Sequence, residues 1–148
     1  MIRVQAEDFN LGSEMDALVA SRKDIGAVVS FTGKVRDLPD GELSAMTLEH
    51  YPGMTEKMLA DIEAQAHKRW PLQESLIIHR YGRLEPGDQI VLVITASAHR
   101  QAAFEACAFL MDWLKTKAPF WKLEESDQGR SWVEAKQADN DAADSWQE

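Results

Sequence analysis

Two rhythms of apolar and polar positions run along this chain and trade places repeatedly. Ile2 to Gln5 alternates as a short strand, and the stretch from Ser13 to Ala20 sets a capping serine ahead of acidic residues, as a first helical turn prefers. Ile25 to Gly33 and Ala45 to Tyr51 are rich in β-branched and aromatic residues and predict strands, with Pro39 and Asp40-Gly41 marking a polar loop between them. From Thr55 to Trp70, Met58, Ile62 and Ala66 recur at four-residue steps with Leu59 beside them, the face of an amphipathic helix that Pro71 ends. Ser75 to His79 and Gln89 to Ala96 are strand-like on either side of the turn Glu85-Pro-Gly-Asp88. Arg100 to Lys117 carries the strongest helical signal, with Ala103, Cys107, Leu110 and Leu114 in one stripe, Phe104, Ala108 and Met111 beside it, and Pro119 closing it. Phe120 to Glu124 and Ser131 to Ala135 predict a last pair of strands around Asp127-Gln-Gly129. Helices that interrupt strands and hairpins fit an α+β sandwich better than a regularly alternating doubly wound fold.

At 148 residues, 45% hydrophobic and 28% charged, the chain suffices for one domain core and is short for two. No apolar run approaches the roughly 20 residues that cross a bilayer, and the opening MIRVQAEDF lacks a basic segment followed by an apolar one, so neither membrane insertion nor export is expected. The one cysteine, Cys107, has no disulfide partner, which suits a reducing cytoplasm. A net charge of -9 opposes general adhesion to nucleic acid or anionic membranes, so an anionic ligand needs a local basic pocket. Acidic residues crowd the end of the chain. We divide it into a domain over residues 1–135 and an acidic, solvated tail over residues 136–148.

Basic side chains gather at the ends of the predicted elements: Lys34 and Arg36 after a strand, His99 and Arg100 entering a helix, Lys115 and Lys117 leaving it, and Lys122 beyond. Arg100 at a helix N-terminus opposes the helix dipole unless an anion binds there; the bland reading of each such residue is a solvated or paired surface charge. Lys115 and Lys122 lie among Trp113, Leu114, Phe120 and Trp121. Desolvation beside a second cation favours the neutral amine, a base or nucleophile, while the charged partner holds a phosphate or oxyanion. The alternative is that the aromatics belong to the core and both amines reach water. Other constellations fail. Thr32-Gly33-Lys34 has Val35 where a phosphate loop needs Ser or Thr, and His50, His67, His79 and His99 lack metal-ligand spacing, so no metal site is expected. Cys107, on the apolar stripe, reads as a buried inert thiol rather than a persulfide carrier.

Five ordered blocks carry a resemblance: Ser30 to Arg36, Leu48 to Glu56, His79 to Leu84, Ala98 to Arg100 with Ala103-Phe-Glu, and Leu114 to Lys122. Together they resemble the large, catalytic subunit family of molybdopterin synthase over most of the chain. The resemblance implies a single α+β domain, hammerhead-like, with mostly antiparallel strands, packed helices and an extra small β-subdomain. It implies a sulfurtransferase of molybdenum cofactor biosynthesis that converts cyclic pyranopterin monophosphate to the dithiolene, with no permanently bound cofactor. Sulfur would come from the thiocarboxylate at the Gly-Gly end of a small ubiquitin-like subunit, within a heterotetramer built on a homodimer of large subunits. It places catalytic roles on Lys115 and Lys122, and substrate contacts on Lys34, Val35, Arg36, His99, Arg100, Lys115, Lys122, Leu123 and Glu124. Leu123 departs from the second basic residue associated with that segment, which leaves only its backbone for phosphate. Met46 and Trp132 serve an interface or the core equally well. The rival readings are a non-catalytic module that binds the small subunit or the pterin, and an unrelated phosphate-ester enzyme, for which no activated nucleophile or metal is found.

Overall fold

Ile90 to Ala96 is apolar at every position but Thr95, and a strand with no polar face has to be covered on both sides. The computed structural model, which describes residues 1–39, 41, 43–126, 129–133 and 137–146, does this. The elements run β1 (Ile2–Gln5), α1 (Leu11–Val19), β2 (Ala27–Lys34), β3 (Leu43–His50), α2 (Met54–Arg69), β4 (Leu72–Arg80), β5 (Gly82–Leu84), β6 (Gln89–Ser97), α3 (Arg100–Thr116), β7 (Phe120–Ser126), β8 (Gly129–Val133) and α4 (Gln137–Asp144). One four-stranded sheet has the order β1-β4-β6-β2, so the apolar β6 lies inside it. Because side chains alternate across a strand, Leu92 and Ile94 go to one face with Leu76 and Ile78, under Leu11, Met15 and Leu18 of α1. Val91 and Val93 go to the other face with Ile77, where the inward stripes of α2 and α3 cover them: Leu59, Ile62 and Ala66 from one, Cys107, Leu110 and Leu114 from the other.

The second sheet, β5-β3-β7-β8, is the smaller β-unit expected beside the main layer. Among the described strands every pairing is antiparallel except that of β1 with β4, so the α+β class stands. In the first sheet the ladder of β2 with β6 slips between Gly33 and Lys34: Gly33 opposes Val91 and Lys34 opposes Gln89, which leaves Ile90 as an extra residue on β6.

Three details differ from the sequence reading. Asn10, not Ser13, caps α1: its side chain accepts from the Ser13 backbone N–H, so Ser13 lies inside the first turn. The three-residue β5 pairs with the middle of β3 where no strand was expected. The acidic end is not a solvated tail. It carries α4, whose Ala143 is buried, and Trp146 packs edge-on against Trp70 and Phe109. Acidic composition concealed this because the anchors are few and apolar: the Trp146 indole also donates to Asp112, and Arg69, lying over three rings, donates to the Trp146 carbonyl. The boundary at residues 135 and 136, the Asp127-Gln128 part of the last turn, and Glu134-Ala135 of the predicted final strand lie outside the described residues. Trp146→Ala should lower stability by roughly 1–3 kcal/mol, since it removes a half-buried aromatic and its indole hydrogen bond. Urea unfolding followed at the remaining tryptophans checks it; a midpoint equal to that of the parent chain would show that the end of the chain contributes nothing.

Candidate active site

The lower end of α3 and the two sheets enclose a cavity of about 640 Å³. Sheet alternation decides what faces it. On β7, Phe120, Lys122 and Glu124 fall two residues apart and all line the cavity, whereas Trp121 points the other way and meets Tyr51 edge-on. On α3, Met111, Leu114 and Lys115 lie on the cavity side within little more than one turn. Trp113 and Lys117 turn instead toward a separate cleft under α4. Lys34 ends β2 and Arg36 follows it on the same side of the chain. Asp37 accepts from the backbone N–H groups of Leu38 and Leu43, which fixes the start and end of the loop whose Leu38 and Pro39 wall the cavity.

Lys34, Arg36, Lys115 and Lys122 thus converge, against the carboxylates of Asp37, Glu124 and Asp139. On a chain of net charge -9 this is a local concentration of positive charge, and Lys34, Arg36 and Lys115 have no carboxylate partner among the described residues. Such a pocket suits an anion. Lys115 is exposed rather than buried in aromatics, because the four large neighbours expected to crowd it are spread by helix and strand geometry over three different surfaces. Only Leu114 and Phe120 remain beside the amines.

Not every expected contact reaches the cavity. Val35 is buried, and its backbone N–H and carbonyl are spent on Asp88 and Gly87. Leu123 faces away, between Thr47 and Trp132, with its backbone inside the ladders to β3 and β8. His99 and Arg100 stand at the other end of α3. Fifteen helical steps put Arg100 roughly 22 Å from Lys115, beyond the span of one small substrate. Both are exposed, α3 has no side-chain cap at His99 and no acidic residue in its first turn, and neither side chain has a partner among the described residues. Of the two positions left between core and interface, Met46 is buried and lines the cavity, and Trp132 is exposed.

One cavity residue escaped the sequence reading. His79 is buried at the cavity wall with its ring stacked 3.7 Å from that of Phe120. Burial, reinforced by Lys122, Lys115 and His50, pulls its pKa down to about 4, against the opposing pull of its bond to the Arg80 carbonyl. Spacing for metal ligands was the wrong question to ask of it; its place two residues after Ile77 on an apolar strand was the available signal. Cys107 is buried, and burial pushes its thiol up to about 11, which disfavours the reactive thiolate at neutral pH. Among the described residues no helix is long and apolar enough to cross a membrane.

Known proteins resemble this chain closely. A family model described as MoaE protein matches residues 4–117. A protein of Pseudomonas aeruginosa named molybdopterin synthase catalytic subunit is 58% identical, over 99% of each chain. The solved MoaE protein of molybdopterin biosynthesis from Burkholderia ambifaria superposes with a TM-score of 0.84 at 51% identity, covering 99% of this chain and 98% of that one. A solved molybdopterin synthase from Staphylococcus aureus gives 0.82 at 31% identity, covering 89% and 96%.

Proposed function

The chain belongs to the MoaE protein family, and from that premise we propose that its basic cavity is where sulfur is transferred to a cyclic pyranopterin monophosphate. It is a sulfurtransferase, the catalytic subunit of a molybdopterin synthase, working in a reducing cytoplasm with no permanently bound cofactor. The observation that carries this reading is the convergence of Lys115 and Lys122 with Lys34 and Arg36 in one cavity of an acidic chain. The donor is the C-terminal thiocarboxylate of a small ubiquitin-like subunit, whose extended Gly-Gly end threads into the cavity because glycines alone present a tail that narrow. In each transfer the thiocarboxylate sulfur bonds to a side-chain carbon of the pterin and displaces an oxygen substituent there, and water then cleaves the carrier's C–S bond in the resulting thioester, which leaves the sulfur on the pterin and the carrier as a carboxylate. Lys115 and Lys122 stabilise the negative charge that gathers on the carrier's carbonyl oxygen and move the protons, while Lys34 and Arg36 hold the phosphate.

His99 and Arg100 enter this reading only through a second copy. Each stands too far from its own Lys115, so a dimer would bring them to the partner's cavity, where the uncapped start of α3 adds its N–H groups to the phosphate site. The test is mixing. Arg100→Ala and Lys115→Ala chains, each inactive alone, should on subunit exchange regain about a quarter of parent turnover, because half the dimers are mixed and one of their two sites is intact. No recovery after demonstrated exchange would place Arg100 outside the site. The assay combines purified chain, cyclic pyranopterin monophosphate and thiocarboxylated small subunit; dithiolene product supports the enzyme, and partner binding without product supports a non-catalytic module.

A further inference from the structure

Among the residues lining the cavity, His79 is buried most deeply of those that titrate and has no role in the reading above. Its Nδ1 lies 2.8 Å from the carbonyl oxygen of Arg80. A carbonyl only accepts, so Nδ1 carries the proton and donates it, and in a neutral ring Nε2 is left bare. The ring is neutral at working pH because burial, Lys122, Lys115 and His50 all oppose a charge there. The imidazole is also fixed in its plane: it lies nearly parallel to the Phe120 ring, at 15°. Phe120 in turn is two residues before Lys122 on β7, so both side chains leave the same face of the strand and the aromatic pair forms the floor beside the Lys122 stem. The surroundings from other elements are His50 of β3, the cross-strand partner of Phe120 at 6.2 Å between ring centroids, and Lys115 of α3.

A bare, oriented nitrogen in a cavity of ammonium and guanidinium groups is an acceptor among donors. Resting on the function proposed above, we infer that His79 is a positioning residue: its hydrogen bond among the described residues is the one from Nδ1, and in the reacting complex its Nε2 accepts one from the Lys122 ammonium and holds it toward the reacting carbonyl. It is neither a base nor a phosphate contact: it takes up no proton near neutral pH and offers an anion no charge. Its effect falls on the chemical step rather than on substrate affinity, since the pterin phosphate is held by other side chains.

Three substitutions separate this role from mere packing. His79→Phe keeps the stack and removes both nitrogens. His79→Asn keeps a donor where Nδ1 stands and removes the acceptor. His79→Gln returns an amide oxygen to the region of Nε2. In single-turnover assays with carrier and pterin saturating, Phe and Asn should slow sulfur transfer about tenfold or more. KM for the pterin should stay within about twofold, and Gln should recover most of the rate. Parent-like rates in His79→Phe overturn the inference, and so does equal slowing of all three variants in step with a lowered melting temperature, which would make the ring a packing element. Absence of product from the parent chain itself, with carrier bound, overturns the function reading and this inference with it, and is told apart from the other outcomes by the parent control.

Discussion

Lys115→Ala is expected to reduce turnover by about 10²–10⁴-fold without loss of stability. The side chain is exposed, so its removal leaves no hole, and alanine is the best helix former for a position in the last turns of α3. What disappears is one of the two amines facing the cavity from opposite walls, Lys115 from the helix and Lys122 from β7. The two amines then no longer share charge stabilisation and proton transfer. Lys117→Ala is the matched control. It removes the same charge two residues on, where the helix has turned the side chain toward the cleft under α4, and should leave the rate unchanged. Steady-state rates of dithiolene formation, with melting temperatures of all three proteins, check the pair. A Lys115→Ala enzyme within about threefold of the parent would remove this residue from the chemistry.

Leu110→Ala should cost about 3–5 kcal/mol, the largest stability effect of those considered. Leu110 is fully buried in the cluster where α2, α3 and the first sheet meet, with Cys107 and Leu114 on the same stripe. Its neighbours come from three elements, each fixed by its own hydrogen-bonded ladder or helix, so the space left behind cannot collapse freely. A shift of the urea midpoint at constant slope measures it. A loss below about 1 kcal/mol would mean that the layers close over the gap, and that the interior is softer than its packing implies.

Strong periodicity made α3, β6 and β2 legible, because a buried element repeats its apolar signal over many residues. β5 was invisible, since three residues of Gly-Arg-Leu carry no period and pair only because β3 is there to receive them. The docking of α4 was hidden for a related reason: Ala143 and Trp146 anchor a segment that is otherwise polar apart from two more alanines. At the site, element ends were readable and directions were not. Lys115 and Lys117 look alike in the sequence, and only the helix register sends one to the cavity and the other to the cleft. The resemblance grouped His99 and Arg100 with the lysines, while the length of α3 keeps the two groups apart within one chain. His79 was passed over because its importance lies in tautomer and burial, which only the folded neighbours determine.

The slip in the ladder between β2 and β6 places stability and activity in conflict. Consecutive strand residues ordinarily face opposite ways, yet Ile90 and Val91 both line the cavity, because the unmatched Ile90 breaks the alternation at that point. Shortening the chain by Ile90 would make the sheet more regular and take away one wall of the pocket. Substitution toward a more durable fold therefore runs downhill into a less capable enzyme at this one residue, and a library selected for thermal survival alone should shed the irregularity that a library selected for turnover retains.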